Sequence, residues 1–198
     1  MKLVFASNNA HKLSEVRAIM PAGIEVLSLH EVGFEQEIEE TGTTLAANSR
    51  IKAETVRQWL MANDSWLSID GVFADDTGLE IDALGGAPGV YTARWAGEPA
   101  ANRAKALREL AGKSDRGAQF KTVITFITRE QNFQVEGVVR GRIATEEYGQ
   151  GGFGYDPIFI PEGYDKTFGE LPAAIKNSIS HRARALAALV EKLTEISQ

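Results

Sequence analysis

The sequence predicts an α/β protein built on a mixed β-sheet flanked by helices. Strand-like and helix-like periodicities alternate along the whole chain, β-rich runs meet in hairpin connections, and no repeat, low-complexity tract or linker divides it. With 198 residues, 43% of them apolar, the chain is long enough to bury a core, and a single compact unit is expected.

Leu3 to Ala6 is an apolar run of strand length, and Leu13, Val16 and Met20 recur at helical spacing before Pro21 and Gly23 end the helix. Ile24 to Leu29 forms a second short strand, and the acidic stretch Glu31 to Glu40 reads as a solvated loop. A helix is predicted from about Thr43 to Met61. Trp66 to Ile69 and Val72 to Ala74 flank Asp70-Gly71, a strong hairpin signal. Asp75-Asp76-Thr77-Gly78 follows, and then a strand from Leu79 to Ala83 that stops at Gly85-Gly86.

Ala101 to Leu110 is helical, and Phe120 to Thr128 and Phe133 to Val139 are β-rich runs joined through Arg129-Glu130-Gln131-Asn132 as a hairpin. Gly149-Gln150-Gly151-Gly152 is too glycine-rich for regular structure. A strand over Ile158 to Ile160 precedes a closing helix from about His181, capped by Ser180, with Leu186, Leu189, Val190 and Leu193 on one apolar stripe.

Composition narrows the chemistry. Without cysteine there is neither a disulfide nor a thiolate nucleophile nor a Cys-based zinc site, and a reducing cytoplasm fits. The N-terminal apolar run stops at Asn8-Asn9, unlike a signal peptide, and no stretch approaches the roughly 18 apolar residues of a membrane span. A soluble protein is expected. The formal charge of −6 argues against a broad nucleic-acid footprint, so any anion site must be local.

Four constellations stand out. Ser7-Asn8-Asn9-Ala10-His11-Lys12 lies at a strand end and a helix start, where free backbone N–H groups, the helix dipole and a lysine suit a phosphate; an Asn-capped helix with an exposed lysine is the alternative. Asp75-Asp76-Thr77-Gly78, with Glu39-Glu40 upstream, supplies hard oxygens suited to Mg²⁺, although neighbouring strand residues face opposite sides and a solvated acidic turn would read the same. In Gly151-Gly152-Phe153-Gly154-Tyr155-Asp156-Pro157 the glycines allow close backbone approach and an aromatic offers a stacking face, unless those rings simply fill the core. Lys176 and Ser178-Ile179-Ser180-His181-Arg182 gather cations at a predicted helix N-terminus, against its dipole, which points to an anionic or carbonyl-bearing partner or to a solvent-facing basic turn.

Taken in register, these segments resemble the inosine triphosphate pyrophosphatase family, also called dITP/XTP pyrophosphatases. The resemblance rests on Ser7-x-Asn9-x-x-Lys12, Glu39-Glu40-Thr41-Gly42, the run from Ala74-Asp75-Asp76-Thr77-Gly78-Leu79 through Gly85-Gly86-Ala87-Pro88-Gly89-Val90-Tyr91 to Ala93-Arg94, then Gly151 to Pro157, and Ser180-His181-Arg182. It implies an elongated mixed sheet in a two-lobed α/β fold, with the site between the lobes of one domain, and a homodimer.

For the residues, the resemblance implies that Ser7, Asn8, Asn9, Ala10, His11 and Lys12 hold a triphosphate, that Asp76 is general base and metal ligand, and that Glu39 is the second metal carboxylate for Mg²⁺. Thr77 keeps a hydroxyl where the family usually has Ser. Phe153 would stack on the base, Gly154, Tyr155 and Asp156 would line its pocket, and Lys176, His181 and Arg182 would meet its edge. The implied reaction is hydrolysis of ITP, dITP and XTP to monophosphate and pyrophosphate, which cleanses the nucleotide pool. Two departures are the Ser in the first motif and the longer, more apolar segment Asn63 to Gly71. A nucleotide sensor without turnover would keep the phosphate and base contacts but not the paired carboxylates, and the intact Asp75-Asp76-Thr77-Gly78 disfavours it.

Overall fold

A computed structural model describes residues 1–196. The strands are β1 (Lys2–Phe5), β2 (Glu25–Leu27), β3 (Gly71–Ile81), β4 (Pro88–Gly89), β5 (Gly117–Ile127), β6 (Asn132–Ile143) and β7 (Phe159–Pro161). The α-helices are α1 (Ala10–Ile19), α2 (Leu45–Ala62), α3 (Pro99–Glu109), α4 (Ala173–Ile179) and α5 (His181–Ile196). The sheet runs β2-β1-β3-β5-β6-β7, with β4 paired to β3. β1 is parallel to both β2 and β3, whereas β4 and β7 lie antiparallel to their neighbours. The sheet is therefore mixed, and the α/β prediction holds.

Backbone contacts divide the chain into two units: residues 1–76, 122–137 and 183–198, and residues 77–121 and 138–182. In the first unit, alternation along each strand feeds two cores, one on each sheet face. Val4, Ala6, Val72, Ala74 and Ile127 pack with Ala53, Val56 and Leu60 of α2. Leu3, Phe5, Phe73, Ile124 and Phe126 pack with Val16 of α1 and with Ala185, Leu186, Leu189 and Leu193 of α5. Odd and even positions of β3 thus meet different helices. The second unit gathers Leu79, Ile81, Phe120, Val139, Ile143, Ile158, Phe159 and Phe168 with Ala106 of α3 and Leu110, its C-cap.

The expected hairpin at Asp70-Gly71 does not form. Ser65–Ser68 is a short 3₁₀ turn, and Gly71–Ile81 is one continuous strand that takes in the expected strand from Leu79 only as far as Ile81, with Asp82–Leu84 a 3₁₀ turn. Asp70 does not turn the chain; its carboxylate accepts the Lys2 N–H at 2.6 Å and its own N–H donates to the Lys2 carbonyl at 2.9 Å. Gly71 pairs with Leu3 in parallel register, and a Cβ there would meet the Phe126 ring at 3.0 Å. Both residues serve non-local packing. The 129–132 connection does turn the chain: Thr128 N–H donates to the Gln131 carbonyl at 2.8 Å, and so short a link requires antiparallel β5 and β6.

The acidic loop is partly anchored. Glu31 accepts the Ser28 N–H at 2.6 Å and the Arg17 guanidinium at 2.5 Å, which hold its carboxyl down to about 2. Helix α4 was not anticipated, being only seven residues between Pro172 and Ser180. Ser180, in extended backbone, separates it from α5, and Ala185 joins Leu186, Leu189 and Leu193 on the buried stripe, while Val190 is only partly buried.

Candidate active site

The sequence placed two carboxylates where only one was expected to find a buried environment; both do, on opposite faces of β3. Asp75 continues the Phe73 face toward α1, and its Oδ1 lies 3.0 Å from Lys12 Nζ. Asp76 continues the Val72–Ala74 face toward α2, and its Oδ1 lies 3.7 Å from Lys52 Nζ. Lys52 Nζ also donates to Glu40 Oε1 at 3.1 Å. One ammonium, itself buried, is thereby shared by two carboxylates. Burial raises the Asp76 carboxyl above its ordinary range; Lys52 and Lys12 oppose that shift, while Glu40 and Asp75 add to it.

The first constellation has the Asn cap of its plainer reading but not the exposed lysine. Asn9 caps α1, its Oδ1 accepting the Lys12 N–H at 3.0 Å and its own N–H donating to Ser7 Oγ at 3.2 Å. The lysine is not a solvent-facing ornament, since its side chain reaches the buried Asp75. Asn8, Ala10 and His11 are exposed around the helix start. Glu39 is exposed as well, and the carboxylate that meets Lys52 belongs to its neighbour Glu40.

The second unit holds an aromatic and cationic cluster. Arg182, fully buried, has a guanidinium N–H 3.4 Å from Thr77 Oγ1 and carries its charge 5.8 Å from the Phe153 ring centre. Lys176 Nζ sits 4.7 Å from the same ring centre and 2.6 Å from Asp156 Oδ2. That carboxylate oxygen also accepts the Phe153 N–H at 2.8 Å, so Asp156 fixes both the cation and the aromatic loop. Gly154 and Gly152 adopt left-handed backbone, and a Cβ on Gly152 would run into the Asp156 carboxylate. Tyr155 turns into the core, donating to the Thr92 carbonyl at 2.8 Å, and burial raises its hydroxyl pKa. His181 stacks on Phe120 with ring centres 4.6 Å apart.

A buried acid pair with lysines on both faces of one strand, and a half-buried phenyl ring bracketed by Lys and Arg, form two chemically distinct clusters on one chain. The sequence model of the Ham1 family matches residues 3–192. The chain belongs to the Ham1 family. A relative in Flavobacterium johnsoniae named dITP/XTP pyrophosphatase is 45% identical over 98% of each chain. The Ham1 protein structure from Staphylococcus aureus covers all of both chains at a TM-score of 0.84 and 38% identity. That of a HAM1 protein from Coxiella burnetii covers 98% of this chain and 99% of its own, with a TM-score of 0.85 and 38% identity. The fold is thus the ITPase-like α/β fold.

Within this Ham1-family chain, two site residues escaped the reading of the sequence. Lys52 lies on the buried stripe of α2 with Leu45, Asn48, Ser49, Val56 and Leu60. Its spacing was visible: a lysine on the apolar side of an amphipathic helix needs a counter-charge, because an unpaired buried ammonium is costly. Arg103 of α3 was the other. It donates to the Gly154 carbonyl at 2.9 Å and pairs with Glu147 at 3.0 Å, and nothing in its surface-like position on a helix pointed to the Gly154 loop.

Proposed function

We propose that this chain is a nucleoside triphosphate pyrophosphohydrolase that converts ITP, dITP and XTP to the monophosphate and pyrophosphate. The observation that carries the reading is the buried Asp76 beside Lys52 and Glu40, together with relatives named dITP/XTP pyrophosphatase over nearly the whole chain. A carboxylate whose pKa is raised by burial is a stronger base than a solvated one, and general base catalysis is the use such a group commonly serves. Asp76 would take a proton from water as its oxygen attacks the α-phosphorus. The P–O bond to the β-phosphate breaks, and pyrophosphate leaves.

The donor set suits Mg²⁺. Glu40 and Asp76 already direct two hard carboxylate oxygens at one cation, the Lys52 ammonium. Among the described residues no group of three or more His, Asp or Glu is arranged to hold a metal unaided. Mg²⁺ commonly takes one or two carboxylates and completes its sphere with water and phosphate oxygens. Asp76 and the Glu39-Glu40 segment would hold it. When bound, the ion would offset the negative charge that makes a triphosphate resist attack.

The remaining roles divide by chemistry. Ser7 to Lys12 offer helix N–H groups and an ammonium to phosphate oxygens. Phe153 offers a stacking face, with Gly154, Tyr155 and Asp156 shaping its loop. Lys176, His181 and Arg182 supply donors for the keto edge of hypoxanthine or xanthine. Thr77 adds a hydroxyl beside Arg182. A homodimer in the cytoplasm belongs to the same proposal, and measuring the mass of the particle in solution tests the assembly. Product analysis tests the reaction: pyrophosphate, and not orthophosphate, accumulates from ITP when Mg²⁺ is supplied.

A further inference from the structure

The segment that carries Glu39 and Glu40 has no helix or strand of its own between residues 35 and 42. Its position therefore depends on what its side chains and backbone reach. Ile38 packs against the core that contains Ala53, Val56 and Leu60, and two polar contacts from α2 hold the segment beyond it. Lys52 Nζ meets Glu40, and Asn48 Oδ1 accepts the Gly42 N–H at 2.8 Å. Asn48 and Lys52 are four residues apart, one turn along the same helix face.

The fit at Gly42 is close. A Cβ there would lie 2.6 Å from Asn48 Oδ1 and 2.8 Å from Ala47 Cβ, so glycine is what lets the backbone reach the amide. The helix that carries this amide is itself fixed in rotation. Ser49 Oγ lies 2.6 Å from Thr125 Oγ1, and Gln134 Nε2 donates to Thr125 at 2.7 Å and to the Ala46 carbonyl at 2.8 Å. A polar network of this kind specifies one placement of α2 on the sheet.

Asn48 is fully buried, and only its oxygen can accept the Gly42 N–H, which leaves its amide NH₂ pointing elsewhere. Among the described residues Nδ2 finds no acceptor. Alanine would avoid that unmet donor, and aspartate would bury another negative charge near Glu40. An amide is the neutral group that accepts from Gly42. We propose that Asn48 is a positioning residue for the proposed metal site: it latches Gly42 to α2 and so sets the Glu39-Glu40 carboxylates. The inference rests on the metal reading of that site.

The test uses the full chain, with Mn²⁺ binding followed by its paramagnetic resonance signal and amide exchange at Gly42 followed by NMR. Residues that orient metal ligands typically affect affinity by about 10–100-fold, and Asn48→Ala is expected to weaken Mn²⁺ binding by that factor. It should also release the Gly42 N–H to exchange while β1 and β5 stay protected. Asn48→Asp keeps an acceptor, so Gly42 stays protected. Should Asn48→Ala fail to fold, Gly42→Ala makes the same comparison by pushing the segment off the amide. Wild-type affinity with unchanged Gly42 exchange in Asn48→Ala, or wild-type affinity in Gly42→Ala, overturns the latch. A wild-type chain that binds no Mn²⁺ contradicts the metal reading instead, while Gly42 exchange in Asn48→Ala still reports on the latch.

Discussion

Asp75 and Asp76 are consecutive on β3, yet each is buried against a different lysine: Asp75 lies 3.0 Å from Lys12 and Asp76 lies 3.7 Å from Lys52. The period of a strand assigns them to different helices and, in the proposed mechanism, to different work. Asp76→Asn is expected to cut kcat by about 10²–10⁴-fold, the usual worth of a general base, with nucleotide binding retained. Asp75→Asn keeps an acceptor for Lys12 and leaves the base in place, so it should lose far less. Steady-state kinetics of the two variants side by side decides the assignment, and equal losses would contradict it.

The same burial that makes Asp76 basic works against stability. Burial raises its carboxyl in the folded chain above the value it has in the unfolded one. Between that unfolded value and the raised one, the folded chain holds a proton that the unfolded chain has lost, so stability falls as pH rises through the window and stays lower above it. In metal-free buffer, Asp76→Asn should therefore match or exceed the wild-type melting temperature at neutral pH. The advantage should shrink as pH drops toward the unfolded value. Thermal melts across pH measure this, and a variant less stable at neutral pH would show that the Lys52 contact outweighs desolvation.

Asp156 and Lys176 form a buried pair, 2.6 Å apart, inside the second unit. Removing one partner of such a pair leaves the other charge without its counter-ion and typically costs about 3–5 kcal/mol. Asp156→Ala should lose roughly that much in chemical denaturation, and it should also free the Phe153 N–H that the carboxylate accepts. A loss below about 1 kcal/mol, the range of exposed pairs, would show that Lys176 finds other compensation.

Base selection should depend on Arg182. Hypoxanthine and xanthine present a 6-keto acceptor, whereas adenine presents a 6-amino donor, the reverse pattern. A buried guanidinium close to Phe153 suits the keto group, whereas at the same position adenine turns an amino donor toward the guanidinium donors. Sites built around such bonds discriminate by up to roughly 10⁴–10⁵. Arg182→Ala is expected to reduce kcat/KM for ITP and XTP far more than for ATP. Guanine shares the keto group, so discrimination against GTP should change less. An unchanged ITP/ATP ratio would remove Arg182 from base reading.

Much of this architecture was legible because it is local. The helix periodicities, the 129–132 hairpin and the Asn9 cap depend on neighbours in sequence, and the structure has them. What misled was non-local. Asp70-Gly71 carries a turn signature, but its residues are used by the parallel pairing with β1 and the Phe126 ring. Two acids in the middle of β3 broke its apolar run, so one strand read as two. The motifs marked Asp76, Lys12, the Glu39-Glu40 pair and the Phe153 loop, whereas Lys52, Asn48 and the meeting of Glu40 with Lys52 emerged only from the packing of α2.

Which bond breaks is decided most directly by a product assay. The purified full chain is given ITP, dITP, XTP, GTP and ATP with Mg²⁺, and pyrophosphate, orthophosphate and nucleotide products are quantified together. One pyrophosphate and one monophosphate are expected per ITP, dITP or XTP consumed, with much slower turnover of ATP and GTP. Orthophosphate and a nucleoside diphosphate as the products would place attack at the γ-phosphorus and contradict the proposed reaction.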